Sequence, residues 1–305
     1  MMKISVFITI IFLCGYSLYS QCGCMGGAAV GGLTPLGGSA NLGVLKENNL
    51  RTSVFFMNGY GNKYYSGDII TEPGLVKEYK FNYIGFNTGY GLTEDLTLEL
   101  ESGYFLQKMQ DYYYYKLESS GFSHLNTSVK YNLYNSRVKE LEYTAGIGAR
   151  VPVNFSEANV PQNILPSTGA YGILFHSFLH KGFKNEGLHL FLINRAEINA
   201  INKHDYLYGY SIFSSFYISK SIFNNLVGIL ELRNEYRGKD RYNGSIIEDS
   251  GGLVFVASPQ LSYKIDNFYI SCNYDYPFYK YYNGKQLTNS YSFGIMLTWQ
   301  INLDS

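Results

Sequence analysis

The residues most able to do chemistry lie near the start of the chain, where Cys22 and Cys24 flank Gly23. A single intervening glycine lets the backbone turn sharply enough to bring two sulfurs together, and Met25 adds a third soft donor. Sulfur donors of this kind bind copper or zinc. The pattern predicts a local function for Cys22 and Cys24, either soft-metal capture or a tight disulfide. The alternative is a leader whose cysteines do nothing.

Histidines offer a second possible chemistry. His176, His180 and His189 lie close to the short segment 184–187 and could approach one another there. A soft-metal site is conceivable at that place, and histidines that merely line an interior are the alternative. No motif for an organic cofactor stands out, and we expect none.

Composition limits what the elements around these residues can be. The chain has 305 residues with 24 Lys+Arg against 24 Asp+Glu, so a zero net charge argues against nucleic acid as a partner. Charged residues fall to 16%, whereas 31 Tyr and 20 Phe raise the aromatic share to 17%. Tyrosine this abundant favours a surface that meets both water and lipid. The composition predicts one large all-β protein.

The first residues have the form of an export signal. Lys3 precedes an apolar run over 4–13, and Ser20 supplies a small residue at a cleavage site. We expect a signal peptide at 1–20 and a Gly-rich periplasmic leader at 21–49. A lipoprotein with acylated Cys22 is the alternative, but Gln21 replaces the small residue that a lipobox needs.

Beyond residue 49 apolar and polar residues alternate. In the last segment Tyr291, Phe293 and Ile295 begin an apolar face that continues to residue 303, with polar or small residues between its members. This length exceeds the strands of soluble sandwiches and fits a tilted membrane strand of about 9–11 residues. Twelve such segments are predicted, at 50–60, 77–92, 96–106, 122–134, 140–153, 169–183, 188–200, 206–221, 226–238, 253–265, 268–282 and 291–303.

The connectors between these segments alternate in length. Short ones (93–95, 135–139, 184–187, 222–225 and 266–267) follow every second strand, and most of the others are longer. Short periplasmic turns and long external loops are typical of outer-membrane barrels. We therefore predict a transmembrane, antiparallel, up-and-down β-barrel of about twelve strands over 50–303, in contact with outer-membrane lipid of a Gram-negative bacterium. A secreted soluble β-protein is the alternative.

The last strand carries an assembly motif. Ser292, Gly294, Leu297 and Trp299 fit the pattern polar-x-Gly-x-x-hydrophobic-x-hydrophobic, which resembles the C-terminal signal bound by the barrel assembly machinery. The final strand offers an unpaired edge until the barrel closes, so a partner can bind it by strand addition. The chain departs from that signal by ending Leu303-Asp304-Ser305 instead of on an aromatic residue.

Several short segments resemble one family. Residues 90–98, 121–125 with 129–131, 146–152 and 277–279 with 283–287 are similar, in that order, to transporter-like outer-membrane barrels grouped with the meta-pathway phenol-degradation proteins. Ser123 and His124 stand where that family typically has Gly and Asp. The resemblance implies passage of small organic, often hydrophobic, molecules across the outer membrane.

Placing the apolar faces outward assigns charged residues to the lumen. Seven acids and six bases are predicted there: Glu99, Glu101, Lys130, Glu142, Arg150, Arg195, Glu197, Glu231, Arg233, Glu235, Arg237, Lys264 and Asp275. These charges could line a path for a small-molecule solute, and a salt-bridged interior that stiffens the wall is the alternative.

The function that follows is a channel or transporter for small organic solutes. A structural or adhesive barrel without a pore, or a metal-related protein using the cysteine pair, are the alternatives. Outer-membrane phospholipases also have twelve strands, but no Ser, His and Asn/Asp set is expected at one height on an outer face. We therefore expect no enzyme.

Overall fold

The computed structural model describes residues 43–153 and 164–303. The alternating segments of the sequence form strands because each can place an apolar face outward and a mixed face inward. The elements are β1 (Asn49–Gly61), β2 (Lys63–Gly67), β3 (Ile69–Thr71), β4 (Val76–Thr93), β5 (Leu96–Tyr112), β6 (Tyr115–Ser136), β7 (Leu141–Val151), β8 (Gly172–Phe183), a 3-10 turn (Lys184–Glu186), β9 (Leu188–Asn199), β10 (Tyr206–Leu207), β11 (Ser211–Phe223), β12 (Leu226–Arg237), β13 (Arg241–Tyr242), β14 (Ser245–Ile246), β15 (Gly252–Ile265), β16 (Phe268–Thr288) and β17 (Tyr291–Asn302).

Twelve long strands close into one antiparallel barrel, in the order β1-β4-β5-β6-β7-β8-β9-β11-β12-β15-β16-β17. The last strand pairs with the first from Asn49↔Asn302 to Tyr60↔Tyr291, and this pairing removes both sheet edges. The predicted twelve-stranded transmembrane barrel is confirmed. Within the described ranges no helix is long and apolar enough to cross a membrane.

The outer face carries an apolar band. On β1 Val54 and Phe56 are exposed while Ser53 and Phe55 are buried, and the other strands repeat this alternation. Aromatic pairs border the band at both ends: Tyr60 and Tyr291 lie 5.7 Å apart at one end, and Phe268 stacks on Trp299 at 5.8 Å at the other. An apolar band between two aromatic borders is the surface that a bilayer requires.

The two ends of the barrel differ. One, here called the short-turn end, has connections as tight as the hairpin at Asp266, whose φ of 50° is the left-handed conformation that two-residue hairpin turns need. The other, the long-loop end, carries β2–β3 and a small sheet of β10, β13 and β14. The predicted long connectors are present at four of the six connections of this end, whereas β5–β6 and β16–β17 turn there within two residues.

The strand limits differ from prediction mainly at the long-loop end. The expected loop 107–121 is a continuous hairpin of β5 and β6 that turns at Tyr113 and Tyr114, and β16 extends beyond 282 to pair with β2. Backbone groups beyond the apolar band still need partners, and neighbouring strands provide them there. In these extensions of the strands both faces are polar, so the sequence shows no alternation of apolar and polar residues there.

Candidate functional site in the barrel lumen

Alternate residues of each barrel strand point inward, and charged side chains gather in two clusters. The first, called the Glu101 cluster, joins β5, β6, β7 and β9. Glu101 lies 2.9 Å from Arg195 and 3.0 Å from His124 Nε2. Glu197 bridges both arginines, 2.8 Å from Arg195 and 3.0 Å from Arg150. Each acid of this cluster therefore has a base as a direct neighbour.

The second, called the Arg233 cluster, joins β12 and β16. The Arg233 guanidinium contacts three carboxylates: Glu235 at 2.6 Å, Asp275 at 2.8 Å and Glu231 at 3.1 Å. Ser258 on β15 donates a 2.6 Å hydrogen bond to the same aspartate. The carboxylates offset the cost of burying the guanidinium, and without the guanidinium three acids would be left with no cation beside them.

The other predicted lumen residues lie nearer the two ends. Lys130 pairs with Glu99 at 2.8 Å inside the barrel. Arg237 belongs to neither cluster, and its guanidinium pairs with Asp240 of the following loop at 2.8 Å. Lys264 keeps the inner-face position of β15 at the short-turn end, where it is exposed and its ammonium lies over the ring of Tyr269.

A third part of the wall is aromatic. The long-loop half of the lumen contains a packed group, called the aromatic wall, in which Tyr83 and Phe105 lie 4.8 Å apart and Phe55 lies 5.7 Å from Tyr83. The group is buried and inward-facing, and it continues toward the long-loop end along β4, β2 and β16. Its members are Phe55, Tyr64, Val76, Tyr79, Phe81, Tyr83, Phe105 and Leu287.

Glycines on neighbouring strands let these rings lie flat. A Cβ at Gly85 would overlap the ring of Phe55, and a Cβ at Gly103 would overlap the ring of Tyr83. Close approach of a ring to a backbone requires a residue without a side chain. The rings therefore lie flat along the wall and pack against one another instead of crossing the bore.

The geometry has a counterpart among solved structures. The crystal structure of an outer-membrane channel from Pseudomonas putida F1 superposes with a TM-score of 0.70 at 11% identity, covering 87% of this chain and 98% of that one. This chain has the fold of an outer-membrane barrel.

Two further barrels superpose less well. The monoaromatic hydrocarbon channel CymD gives a TM-score of 0.48 at 10% identity, over 95% of this chain and 100% of that one. A FadL homologue from Pseudomonas aeruginosa gives 0.47 at 9%, over 93% and 98%. No protein-family profile matches the chain, and no curated protein matches it.

The short-turn end of the barrel is narrowed by the chain itself. Val44 and Leu45, each 3% exposed, lie inside the wall, and the Leu45 N–H donates a 2.7 Å hydrogen bond to Thr97 Oγ1. Backbone N–H groups of Gly43 and Val44 donate to the Glu142 carboxylate. Glu142, predicted as a lumen residue, therefore holds this N-terminal strap (residues 43–46) against the wall.

Loops narrow the opposite end. Ile164 is buried, and the next carbonyl, of Leu165, accepts a 2.8 Å hydrogen bond from Lys108. Asp240 accepts hydrogen bonds from Tyr206 Oη and the Gly209 N–H, both at 2.7 Å. Burial and the neighbouring Asp240 carboxylate raise the pKa of Tyr206 far above its ordinary value, so this hydroxyl stays a donor. The loops are thus tied to the barrel mouth.

The predicted histidine site is present only in part. His180 Nε2 lies 3.0 Å from His189 Nδ1, whereas His176 contacts Ser128 instead. Among the residues that the structure describes, no group of three His, Cys, Asp or Glu could hold a metal. The predicted sites at Cys22 and Cys24 lie outside the described residues.

Sequence reasoning missed two parts of the lumen. Arg51 is buried at the short-turn end of β1, and its guanidinium lies 3.3 Å from the Gln300 side chain. It was not among the charged residues that the sequence predicted for the lumen. The aromatic wall was also missed, because β4 carries apolar residues on both faces and so lacks the contrast that assigns sides. The glycines opposite its rings were the signal that could have found it.

Proposed function

We propose that this chain is an outer-membrane channel for small, mainly apolar organic solutes, with the short-turn end in the periplasm. The aromatic wall carries the proposal. Inward-facing rings are not needed to close a barrel, and they make the long-loop half of the lumen apolar, which suits an apolar or aromatic solute better than an ion. Acids and bases nearly balance over the remaining wall as a whole, seven against six among the predicted lumen residues, and the surplus of acid lies in the Arg233 cluster.

The proposal includes kinship with the barrels grouped with the meta-pathway phenol-degradation proteins. It is supported by the short motifs of the sequence and by an aromatic surface that suits phenol-like rings. Membrane insertion through the assembly machinery, with Ser292, Gly294, Leu297 and Trp299 as its signal, belongs to the same proposal. Its geometric support is that β17 closes the barrel and places Leu297 and Trp299 on the outer face.

The test uses a hydrophobic dye that intact outer membranes exclude. Expression of the chain should speed uptake of N-phenylnaphthylamine without speeding hydrolysis of nitrocefin by a periplasmic β-lactamase. Phe105→Lys should slow dye uptake about fivefold, because one aromatic contact is worth about 1 kcal/mol. Phe105→Leu, which keeps the wall apolar, is the matched control.

Folding of each variant is checked by heat-modifiable migration on a gel. If cells with correctly folded wild-type barrel take up dye no faster than cells without it, the result supports the structural or adhesive alternative. If nitrocefin hydrolysis rises equally, the bore is a general leak and the aromatic wall has no selective role.

A hydrogen-bonded chain in the lumen has the order found in hydrolases. Ser123 Oγ lies 2.8 Å from His124 Nδ1, and His124 Nε2 lies 3.0 Å from Glu101. We assign it a structural role, because Ser123 Oγ also donates to the carbonyl of Gly103 and the Glu101 carboxylate is shared with Arg195. We expect no labelling of Ser123 by a fluorophosphonate probe, and stoichiometric labelling would instead support an enzyme.

A further inference from the structure

A polar row crosses the outer face of the barrel. Ser177 on β8 pairs with Asn194 on β9, which pairs with Ser214 on β11, which pairs with Asn234 on β12. We infer that this polar row is the contact face for a second copy of the chain within the membrane. The inference depends on the barrel lying in a bilayer and does not depend on what the lumen conducts.

The row lies near the middle of the apolar band. Tyr210, directly before β11, and Ile218 on β11 each lie two outward positions from Ser214, and both are exposed. Outward neighbours on a strand tilted by about 40° differ in height by about 5 Å. Ser214 is therefore about 10 Å from either residue in height, and water at the membrane surface does not reach it.

The row is also a shallow groove. Its four side chains are short and half-buried, whereas long apolar side chains are exposed on either side of it. The flanking residues on one side include Phe175, Ile212 and Tyr236, and those on the other include Leu179, Leu192, Phe216 and Leu232. Lipid chains filling this groove would leave its amides and hydroxyls without partners.

Two polar pairs elsewhere on the outer face are satisfied within the chain. Thr52 and Thr88 hydrogen-bond each other at 3.0 Å on β1 and β4. Asn58 donates to Asn82 at 2.8 Å near the long-loop end. Within residues 43–153 and 164–303, the four side chains of the polar row make no such bond. The polar row therefore differs from these two pairs, because its side chains have no hydrogen-bond partner within the chain.

The chemistry of the row fits its own copy. Asn and Ser each carry a donor and an acceptor, so two identical rows can bond each other without any charge repulsion. Two copies inserted in the same direction are related by an axis along the membrane normal, which brings equal heights together. Because the strands tilt, the two rows cross, and their centres at Asn194 and Ser214 meet. Polar side chains between membrane segments stabilise association in this way.

The test compares association of three chains in lipid bilayers by energy transfer between fluorophores, over a series of protein-to-lipid ratios. Wild type should dimerise. Asn194→Leu with Ser214→Leu should weaken dimerisation about tenfold or more, since it removes the polar side chains at the centre where the two rows meet. Thr52→Val with Thr88→Val, an equal loss of polarity on the opposite wall, should dimerise like wild type. Leucine is compatible with a lipid-facing position, so the leucine variants should still fold. Heat-modifiable migration on a gel verifies that each variant has folded.

Crosslinking gives a second measurement. In a chain whose native cysteines are replaced by serine, Asn194→Cys should form crosslinked dimers in membranes, and Val54→Cys on the opposite wall should not. A wild-type monomer at every ratio overturns the inference. So does a dimer that the leucine substitutions leave unchanged or that crosslinks equally through position 54. Crosslinking of Asn194→Cys only to a different protein also overturns it.

Discussion

Replacing Arg233 with methionine should destabilise the barrel strongly. The guanidinium is 9% exposed and contacts Glu231, Glu235 and Asp275 at 3.1, 2.6 and 2.8 Å. Arg233→Met keeps most of the side-chain volume but leaves three neighbouring carboxylates without a cation. Charge-assisted hydrogen bonds contribute about 1.5–3 kcal/mol each, and breaking a buried ion pair costs about 3–5 kcal/mol. We expect a loss of about 4 kcal/mol in the free energy of unfolding, or about a thousandfold in the equilibrium constant.

The assay is urea unfolding in lipid vesicles, followed by the fluorescence of Trp299, the single tryptophan. Glu235→Gln is the matched control: it removes one of three acids and leaves Arg233 paired, so we expect about 1 kcal/mol or less. Adding Glu231→Gln, Glu235→Gln and Asp275→Asn to Arg233→Met should restore most of the stability, because a neutral set of side chains then replaces three unpaired carboxylates. A loss below about 1 kcal/mol for Arg233→Met alone would show that lumen water screens these acids, and would refute the reasoning.

Three further outcomes follow from the lumen and its ends. Gly103→Leu should displace the Tyr83 ring into the bore and lower single-channel conductance; unchanged conductance would mean that the ring has room elsewhere. Leu45→Asp places a charge where the N-terminal strap packs, so the strap should leave the wall and conductance should rise, whereas equal conductance would show that the strap does not limit passage. Trp299→Ala should slow the appearance of the heat-modifiable folded band in cells, and an unaltered rate would argue against its part in an assembly signal.

The sequence alone was sufficient for the architecture. A strand with one face in lipid must alternate, so segments such as 291–303 and 253–265 reveal both their length and their sides. The connectors also follow a physical rule, because turns on the side from which the chain inserts can be tight while the other side carries loops. The two-residue alternation of the strands was enough to assign Glu101, Arg195 and Arg233 to the inner face.

Alternation is weakest where both faces have the same character. Phe81 and Tyr83 share β4 with outward Ile84 and Phe86, so nothing in their order distinguishes lumen from lipid. The continuation of β5 and β6 above the bilayer was hidden for the same reason, since both faces are polar there. In these places the tertiary structure decided the outcome, because only neighbouring strands show what each side chain meets.

Partners across the barrel were also decided by tertiary structure. Glu101 and Arg195 lie on β5 and β9, separated by 94 residues in sequence, and Arg233 reaches Asp275 across 42. Which acid meets which base depends on strand register and tilt, which closure of the whole sheet fixes together. For the charged residues of the lumen, the sequence determined which side chains face inward, because that follows from a local period of two. Their pairing is a property of the closed barrel, because height in the lumen depends on every strand at once.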